Sequence, residues 1–224
     1  MGSPALTLLC PLEAERTALV RSPSWRGLAA LGSEIEVAVI GPGGAAVEMW
    51  FRERDQTNTV VLVGVAGGLV ERARPGEASF VGRVVAADGR LLAEPFVPAG
   101  FGGAPWCVVS VDAPVSTPQA KQALAARSGA EIVDMESAAF VVAARRSGRR
   151  FAIIRGISDG PHDTMPDGVE TLVDRHGRTR VTAALSLLAR QPRALGPLRQ
   201  LARQTGRSMD AAAVLVRLVL ESSR

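Results

Sequence analysis

The chain has 224 residues, of which 47% are hydrophobic and 21% are charged, so a disordered chain is excluded and one α/β domain with a large core is expected. The formal net charge is +4, and 25 of the 26 basic residues are arginine. Tyr is absent and aromatic residues make up only 4% of the chain, which argues against a base-stacking surface for nucleic acid.

The cysteines and histidines limit the other classes of site. Cys10 and Cys107 both lie in apolar runs and are expected to be buried thiols in a reducing compartment. His162 and His176 are the two histidines, too few for a zinc site, and we expect no metal or cofactor. With no signal peptide and no run approaching roughly 18 apolar residues, a cytoplasmic protein is expected.

Strands and helices alternate along the first two thirds of the chain, which predicts an α/β sheet. Short apolar runs predict strands at residues 6–9, 35–40, 60–65, 80–86, 107–111 and 151–154. Helices are predicted between them at residues 13–22, 45–54, 117–128 and 138–147. The helix at 117–128 has Thr117 as its N-cap, Pro118 at its first position and Gly129 as its terminator.

The sequence changes character after Asp159. Residues 160–180 are rich in Gly and Pro and predict a loop, and short helical segments follow at 181–190, 194–204 and 209–220. We therefore divide the chain into an α/β domain, residues 1–180, and an Arg-rich helical C-terminal extension, residues 181–224.

Two glycine-rich loops follow predicted strands. Residues 41–46, Gly-Pro-Gly-Gly-Ala-Ala, have the spacing of a dinucleotide fingerprint, but strand 60–65 ends without the acid that binds the ribose. The alternatives are a tight turn into the helix and a loop whose N–H groups line a nucleoside or phosphate pocket. Residues 64–68, Gly-Val-Ala-Gly-Gly, are either a second tight turn or a place where a ligand approaches the backbone.

Two acidic residues lie just past the ends of apolar runs. Glu136 follows the run that begins at Ile132, and Asp159 follows strand 151–154. Ligands bind at the carboxyl ends of strands in open α/β sheets, so both are predicted to be site residues rather than surface charges.

Five motifs, taken in order, resemble the nucleoside phosphorylase/nucleosidase superfamily. They are residues 12–15 (Leu-Glu-Ala-Glu), 41–44 (Gly-Pro-Gly-Gly), 63–69 (Val-Gly-Val-Ala-Gly-Gly-Leu), 133–137 (Val-Asp-Met-Glu-Ser) and 155–159 (Arg-Gly-Ile-Ser-Asp). Residues 111–118 and the Arg-rich tail are most similar to the hopanoid-associated phosphorylase branch, which is thought to release adenine from the membrane lipid precursor adenosylhopane. The resemblance implies a three-layer α/β/α sandwich around a mixed, largely parallel sheet, and a homodimer.

The resemblance also assigns roles to residues. It makes Asp159 the general acid that protonates purine N7, and Glu15 the carboxylate that activates water. It places Glu136 on the ribose hydroxyls, with Met135 against the sugar. The backbone of Val115 would read the edge of adenine, and the substrate-binding set is completed by Ser158, Ala66, Gly67 and Gly43.

The chain departs from the phosphorylases of this superfamily at two positions. Leu62 and Val65 stand where those enzymes carry an Arg and a Ser that bind phosphate, so hydrolysis is predicted rather than phosphorolysis. Pro114 stands where related nucleosidases stack an aromatic ring on the base. The alternatives are a methylthioadenosine/S-adenosylhomocysteine or futalosine nucleosidase, a phosphorylase, a non-catalytic nucleoside-binding module and an oxidoreductase.

The C-terminal extension combines leucines with many arginines. One interpretation is a peripheral membrane contact, with apolar side chains in the acyl boundary and Arg on phosphates. The other is helices that pack on the domain or across a dimer and expose a basic face.

Overall fold

The computed structural model describes residues 6–29, 35–54 and 58–222. Its strands are β1 Leu6–Cys10, β2 Ile35–Val39, β3 Thr59–Gly68, β4 Ala78–Val85, β5 Leu91–Ala93, β6 Trp106–Ser110, β7 Ile132–Asp134 and β8 Phe151–Asp159. Its α-helices are α1 Glu13–Arg21, α2 Pro23–Ala29, α3 Gly44–Arg52, α4 Pro118–Ser128, α5 Ser137–Arg146, α6 Val181–Arg190 and α7 Leu195–Glu221.

The strands form one mixed sheet in which β3 is central. β3 pairs in parallel with β1 and β8 and antiparallel with the end of β7. The pairings β8–β4, β4–β6 and β6–β7 complete a closed circuit of five strands, and β1, β2 and β5 extend from it. Most of the pairings are parallel, as predicted.

Helices cover the sheet on both sides, so the predicted three-layer α/β/α architecture is confirmed. On one side α3 and α5 pack over Leu62, Val108 and Ile153. On the other side α1, α2 and α7 pack over Leu8, Val61 and Ile154. The strongly apolar β3 is buried on both faces because each face receives helices.

Helix α7 corrects the sequence interpretation of the C-terminal segment. Residues 194–204 and 209–220 are not separate helices, because Leu195–Glu221 is continuous through Gly206. Its second half is buried, with Met209, Ala212 and Val216 packed on the sheet. The second half of α7, which the sequence analysis assigns to the C-terminal extension, is therefore part of one of the two helical layers that cover the sheet.

Three of these elements are absent from the predicted strands and helices: α2 and the three-residue strands β5 and β7. Cys10 and Cys107 are both buried and free, as expected. Within the described ranges, none of the helices combines the length and the apolar character that crossing a bilayer requires.

Candidate active site

A cavity of about 190 Å³ opens at the end of β3, where β7 crosses it and β8 terminates. It is lined by residues from these three strands, from the loop before α1 and from the loop before α4. Eight of the nine predicted site residues lie on its wall: Glu15, Ala66, Gly67, Val115, Met135, Glu136, Ser158 and Asp159. The ninth, Gly43, is not among the lining residues, but its N–H donates a hydrogen bond to Glu136.

Asp159 is the last residue of β8 and is 8% exposed. Its Oδ1 accepts a hydrogen bond from the hydroxyl of Ser158 at 2.6 Å, and its Oδ2 lies 2.5 Å from Nζ of Lys121. Gly67 leaves room for this carboxyl group, because a Cβ at residue 67 would lie 3.3 Å from Oδ2. The predicted acid is therefore held by a hydroxyl and an ammonium group at the edge of the cavity.

Glu15 lies in the first turn of α1 and is 2% exposed. Its two carboxyl oxygens accept backbone hydrogen bonds at 2.8 Å, one from Leu12 and one from Val65. Burial raises the pKa of Glu15 to about 7, although the two backbone N–H groups and the nearby Arg155 oppose this shift. A carboxyl group with that pKa suits a base that works near neutral pH.

Glu15 and Arg155 approach each other across β3 because residue 64 is glycine. A Cβ at Gly64 would lie 2.6 Å from Nη1 of Arg155 and 2.8 Å from Oε1 of Glu15. No real Cβ sits that close to either atom. Residues 64–68 lie within β3, so the loop predicted after strand 60–65 is wrong. Gly64 instead provides space for a carboxylate and a guanidinium on one face of the strand.

Arg155 is fully buried within β8 and bridges two further carboxylates. Its Nε donates to Asp134 at 2.8 Å and its Nη2 donates to Glu136 at 3.1 Å. Burial alone would lower the pKa of Arg155, but the carboxylates of Asp134, Glu136 and Glu15 outweigh burial and raise it. Nη1 makes no hydrogen bond within the described residues and remains as a buried donor beside Glu15.

Glu136 is held from the other side by the first glycine loop. The N–H of Gly43 donates to Oε1 of Glu136 at 2.9 Å, and Gly43 has a φ of 83° that favours glycine. Burial raises the pKa of Glu136, while Arg155 opposes the shift. The N–H of Gly43 thus orients an acid of the cavity, which neither a simple tight turn nor a dinucleotide loop requires.

The remaining wall is apolar. Val111, Pro114 and Val115 from the loop before α4 face Met135 and Met165 around the cavity. Pro114 lines the cavity, and none of the described residues on the cavity wall is aromatic. This wall can contact a flat base through aliphatic and thioether groups.

Three charged residues of the site carry no role in the sequence analysis: Lys121, Asp134 and Arg155. Lys121 is the only lysine of the chain, and Arg155 interrupts an apolar strand, so each gave a signal in the sequence. Asp134 lines the cavity as a further buried carboxylate and accepts hydrogen bonds from Ser110, Ser137 and Arg155. Their roles depend on contacts between distant parts of the chain.

One family model matches part of the chain. The family model described as the phosphorylase superfamily matches residues 105–190, which include Glu136, Arg155 and Asp159. No curated protein matches the chain.

Solved structures of nucleosidases share the fold over almost the whole chain. The futalosine hydrolase of Helicobacter pylori strain 26695 is 16% identical, with a TM-score of 0.63 over 98% of each chain. The 5′-methylthioadenosine/S-adenosyl homocysteine nucleosidase of the same species is 17% identical, with a TM-score of 0.64 over 99% of this chain and 100% of that one. The S-adenosylhomocysteine nucleosidase of Streptococcus pyogenes is 15% identical, with a TM-score of 0.62 over 99% of this chain and 98% of that one.

Proposed function

We propose that the protein is a purine nucleosidase, an enzyme that hydrolyses the N-glycosidic bond of an adenosyl-containing substrate. The observation that carries this proposal is the convergence of three buried carboxyl groups, Glu15, Glu136 and Asp159, on one cavity with an apolar wall. The phosphorylase-superfamily match and the nucleosidase titles of the structural neighbours support it.

The carboxyl groups divide the reaction between them. Asp159 transfers its proton to N7 of adenine as the C1′–N9 bond breaks. The bonding electrons stay with the base, and the added proton lets adenine leave as a neutral molecule. Glu15 takes a proton from water, whose oxygen bonds to C1′ of the ribosyl cation. Glu136 accepts hydrogen bonds from the ribose hydroxyls. Solvent returns a proton to Asp159 and removes one from Glu15, so one water molecule is consumed.

The unpaired donor of Arg155 completes this scheme. Nη1 is buried and makes no hydrogen bond within the described residues. It lies on the same side of Gly64 as Oε1 of Glu15. A buried donor without a partner is unfavourable, and a water molecule between Nη1 and Glu15 would satisfy it. We assign the attacking water to this position.

The charges favour hydrolysis over phosphorolysis. Arg155 is surrounded by Asp134, Glu136 and Glu15, so its positive charge is already matched by carboxylates. Leu62 is fully buried in the core, and Val65 presents its N–H to Glu15 rather than to an anion. A phosphate dianion would meet carboxylates without a free cation to compensate for its lost hydration.

The substrate that we propose is adenosylhopane, in hopanoid lipid biosynthesis, because the motif resemblance is greatest to that branch. Methylthioadenosine, S-adenosylhomocysteine and futalosine are the alternatives, since the structural neighbours include nucleosidases named for each of them. We also propose that α6 contacts a membrane surface. Val181 is 66% exposed and Leu185 is 64% exposed on this helix, within a segment rich in exposed arginines.

Asp159→Asn tests the assignment of the acid. The amide cannot supply the proton, so adenine release should fall by roughly 10²- to 10⁴-fold, the contribution of a positioned general acid. Binding of adenine, measured by calorimetry, should change little. Asp167→Asn is the control, since Asp167 is exposed in the loop after β8 and lies outside the cavity wall. Unchanged release by Asp159→Asn would refute the assignment.

The reaction products separate the remaining alternatives. Release of the purine base, which is adenine from methylthioadenosine and a 5′-alkyl adenosine and hypoxanthine from futalosine, is measured side by side and identifies the preferred substrate. A preference for a long 5′ chain supports the lipid substrate. Added phosphate should leave the rate unchanged. Formation of ribose 1-phosphate would show phosphorolysis instead.

A further inference from the structure

Lys121 is a buried cation that the scheme above does not use. It is 0% exposed, and its Nζ makes three contacts with the segment that follows β8. It donates to Oδ2 of Asp159 at 2.5 Å, to the carbonyl oxygen of Gly160 at 2.6 Å and to the carbonyl oxygen of Asp163 at 3.1 Å. All three N–H groups of the ammonium are therefore used by one short stretch of chain.

The amino-acid usage of the chain indicates why this residue is lysine. Every one of the other 25 Lys/Arg positions is arginine, so lysine at this position alone stands out. An ammonium presents three donors from one atom, whereas a guanidinium spreads its donors over a plane. Three oxygen acceptors around a single point require the ammonium geometry.

Stability alone does not account for Lys121. Removing a cation from water is costly, and Lys121 lies in the first turns of α4, near the positive end of the helix dipole. A well-packed apolar side chain would avoid both costs. A buried charge that breaks these rules is expected at a functional position.

We propose that Lys121 is a positioning residue for Asp159, and this inference rests on the proposed nucleosidase function. Its ammonium fixes the carboxyl group at the cavity edge and stabilises the negative charge that develops on Oδ2 as the proton moves to the purine. The same ammonium holds the carbonyl groups of Gly160 and Asp163.

The contact also determines the shape of the cavity. The segment held by Lys121 continues to Met165, whose N–H donates to the carbonyl of Ser116 at 2.9 Å and whose side chain lines the cavity. Asp163 closes the turn by accepting a hydrogen bond from the N–H of Gly160 at 2.8 Å. Lys121 thus connects the acid and one wall of the cavity to α4.

Kinetics of Lys121→Met, Asp159→Asn and the double variant test the proposal. Lys121→Met should lower kcat by about 10- to 100-fold, part of what a positioned acid contributes, with a smaller change in KM. Because Lys121 acts through Asp159, the double variant should match Asp159→Asn within about twofold. Gln122→Met, an exposed neighbour on α4, is the control. Additive losses in the double variant, or an unchanged kcat in Lys121→Met, would overturn the proposal.

A spectroscopic measurement on the unmutated chain keeps the test independent of whether Lys121→Met folds. With ¹³Cε-labelled lysine, the protein gives one lysine Cε signal, since Lys121 is the only lysine. Saturating adenine should shift this signal, and Asp159→Asn should abolish the shift. A signal that does not respond to bound adenine would contradict the proposal. Absence of adenine release by the unmutated enzyme on all substrates would instead refute the nucleosidase function.

Discussion

The burial of Glu15 has opposite consequences for chemistry and for stability. An ionised carboxylate in this position accepts protons from water near neutral pH, which favours catalysis. The same burial disfavours the charged form relative to the unfolded chain, where Glu ionises near its model value of 4.5. Stability contributed by this group is therefore present at low pH and is lost as the pH rises through about 7.

Glu15→Gln removes the ionisable group, so it should change how the free energy of unfolding depends on pH. The shift from 4.5 to about 7 corresponds to on the order of 3 kcal/mol. The free energy of unfolding of the variant, minus that of the unmutated protein, should thus become more positive by up to that amount as the pH rises from about 4.5 to about 8. Urea denaturation at several pH values measures it. A difference that stays constant with pH would contradict the assignment of the raised pKa to Glu15.

The position of each acid could be predicted from the sequence, while its partners could not. Glu136 and Asp159 follow apolar runs, and that local pattern places them at the end of the sheet. Lys121 lies 38 residues from Asp159 in sequence, and Arg155 lies 21 residues from Asp134. Only the pairing of β7 and β8 with β3, and the packing of α4, bring these groups together.

At the scale of elements, α7 shows where local patterns mislead. Residues 205–208, Thr-Gly-Arg-Ser, have the composition of a break, yet the helix continues because Ser208 and Met209 pack against β8. The proline at residue 23 has the opposite effect, because it starts α2 rather than only ending α1. Tertiary packing outweighs propensity at residues 205–208, whereas Pro23 follows the preference of proline for the first helical position.

Two glycine substitutions test the packing of α7 on β8. A Cβ at Gly156 would lie 2.5 Å from the Cβ of Ser208, so Gly156→Ala should destabilise the protein by roughly 1–3 kcal/mol. A Cβ at Gly206 meets nothing within 4 Å, so Gly206→Ala should stabilise the protein by about 0.5–1 kcal/mol. Denaturant unfolding compares them, and destabilisation by Gly206→Ala would mean that the helix is broken there.

At the scale of the whole molecule, the positive charge is concentrated in one segment. Eight arginines and no acidic residue lie between Asp174 and Asp210, and all eight arginines are exposed. Of the leucines in this segment, Leu187 is buried, while Leu185 and Leu195 are exposed. Apolar side chains among exposed arginines have the chemistry that the proposed contact with an anionic lipid surface requires. Deleting this segment is not a usable test, because α7 is part of the core.

Vesicle binding tests this surface without disturbing the fold. The unmutated protein should sediment with phosphatidylglycerol vesicles at low salt and much less with phosphatidylcholine vesicles. Replacing Val181 and Leu185 together by Ser should weaken binding, whereas Met49→Ser, an exposed methionine on α3, should not. Equal sedimentation of both variants, or no binding by the unmutated protein, would exclude the membrane contact.

Because Lys121 is the only lysine of the chain and is buried, proteolysis at lysine can report unfolding around it. A protease that cuts only after lysine has one peptide bond to attack, and in the folded protein that bond lies in α4, with the Lys121 side chain enclosed. Cleavage into two fragments therefore requires α4 to detach, and its rate reports how often the molecule opens around Asp159. A ligand that closes the cavity would lengthen the lifetime of the intact chain.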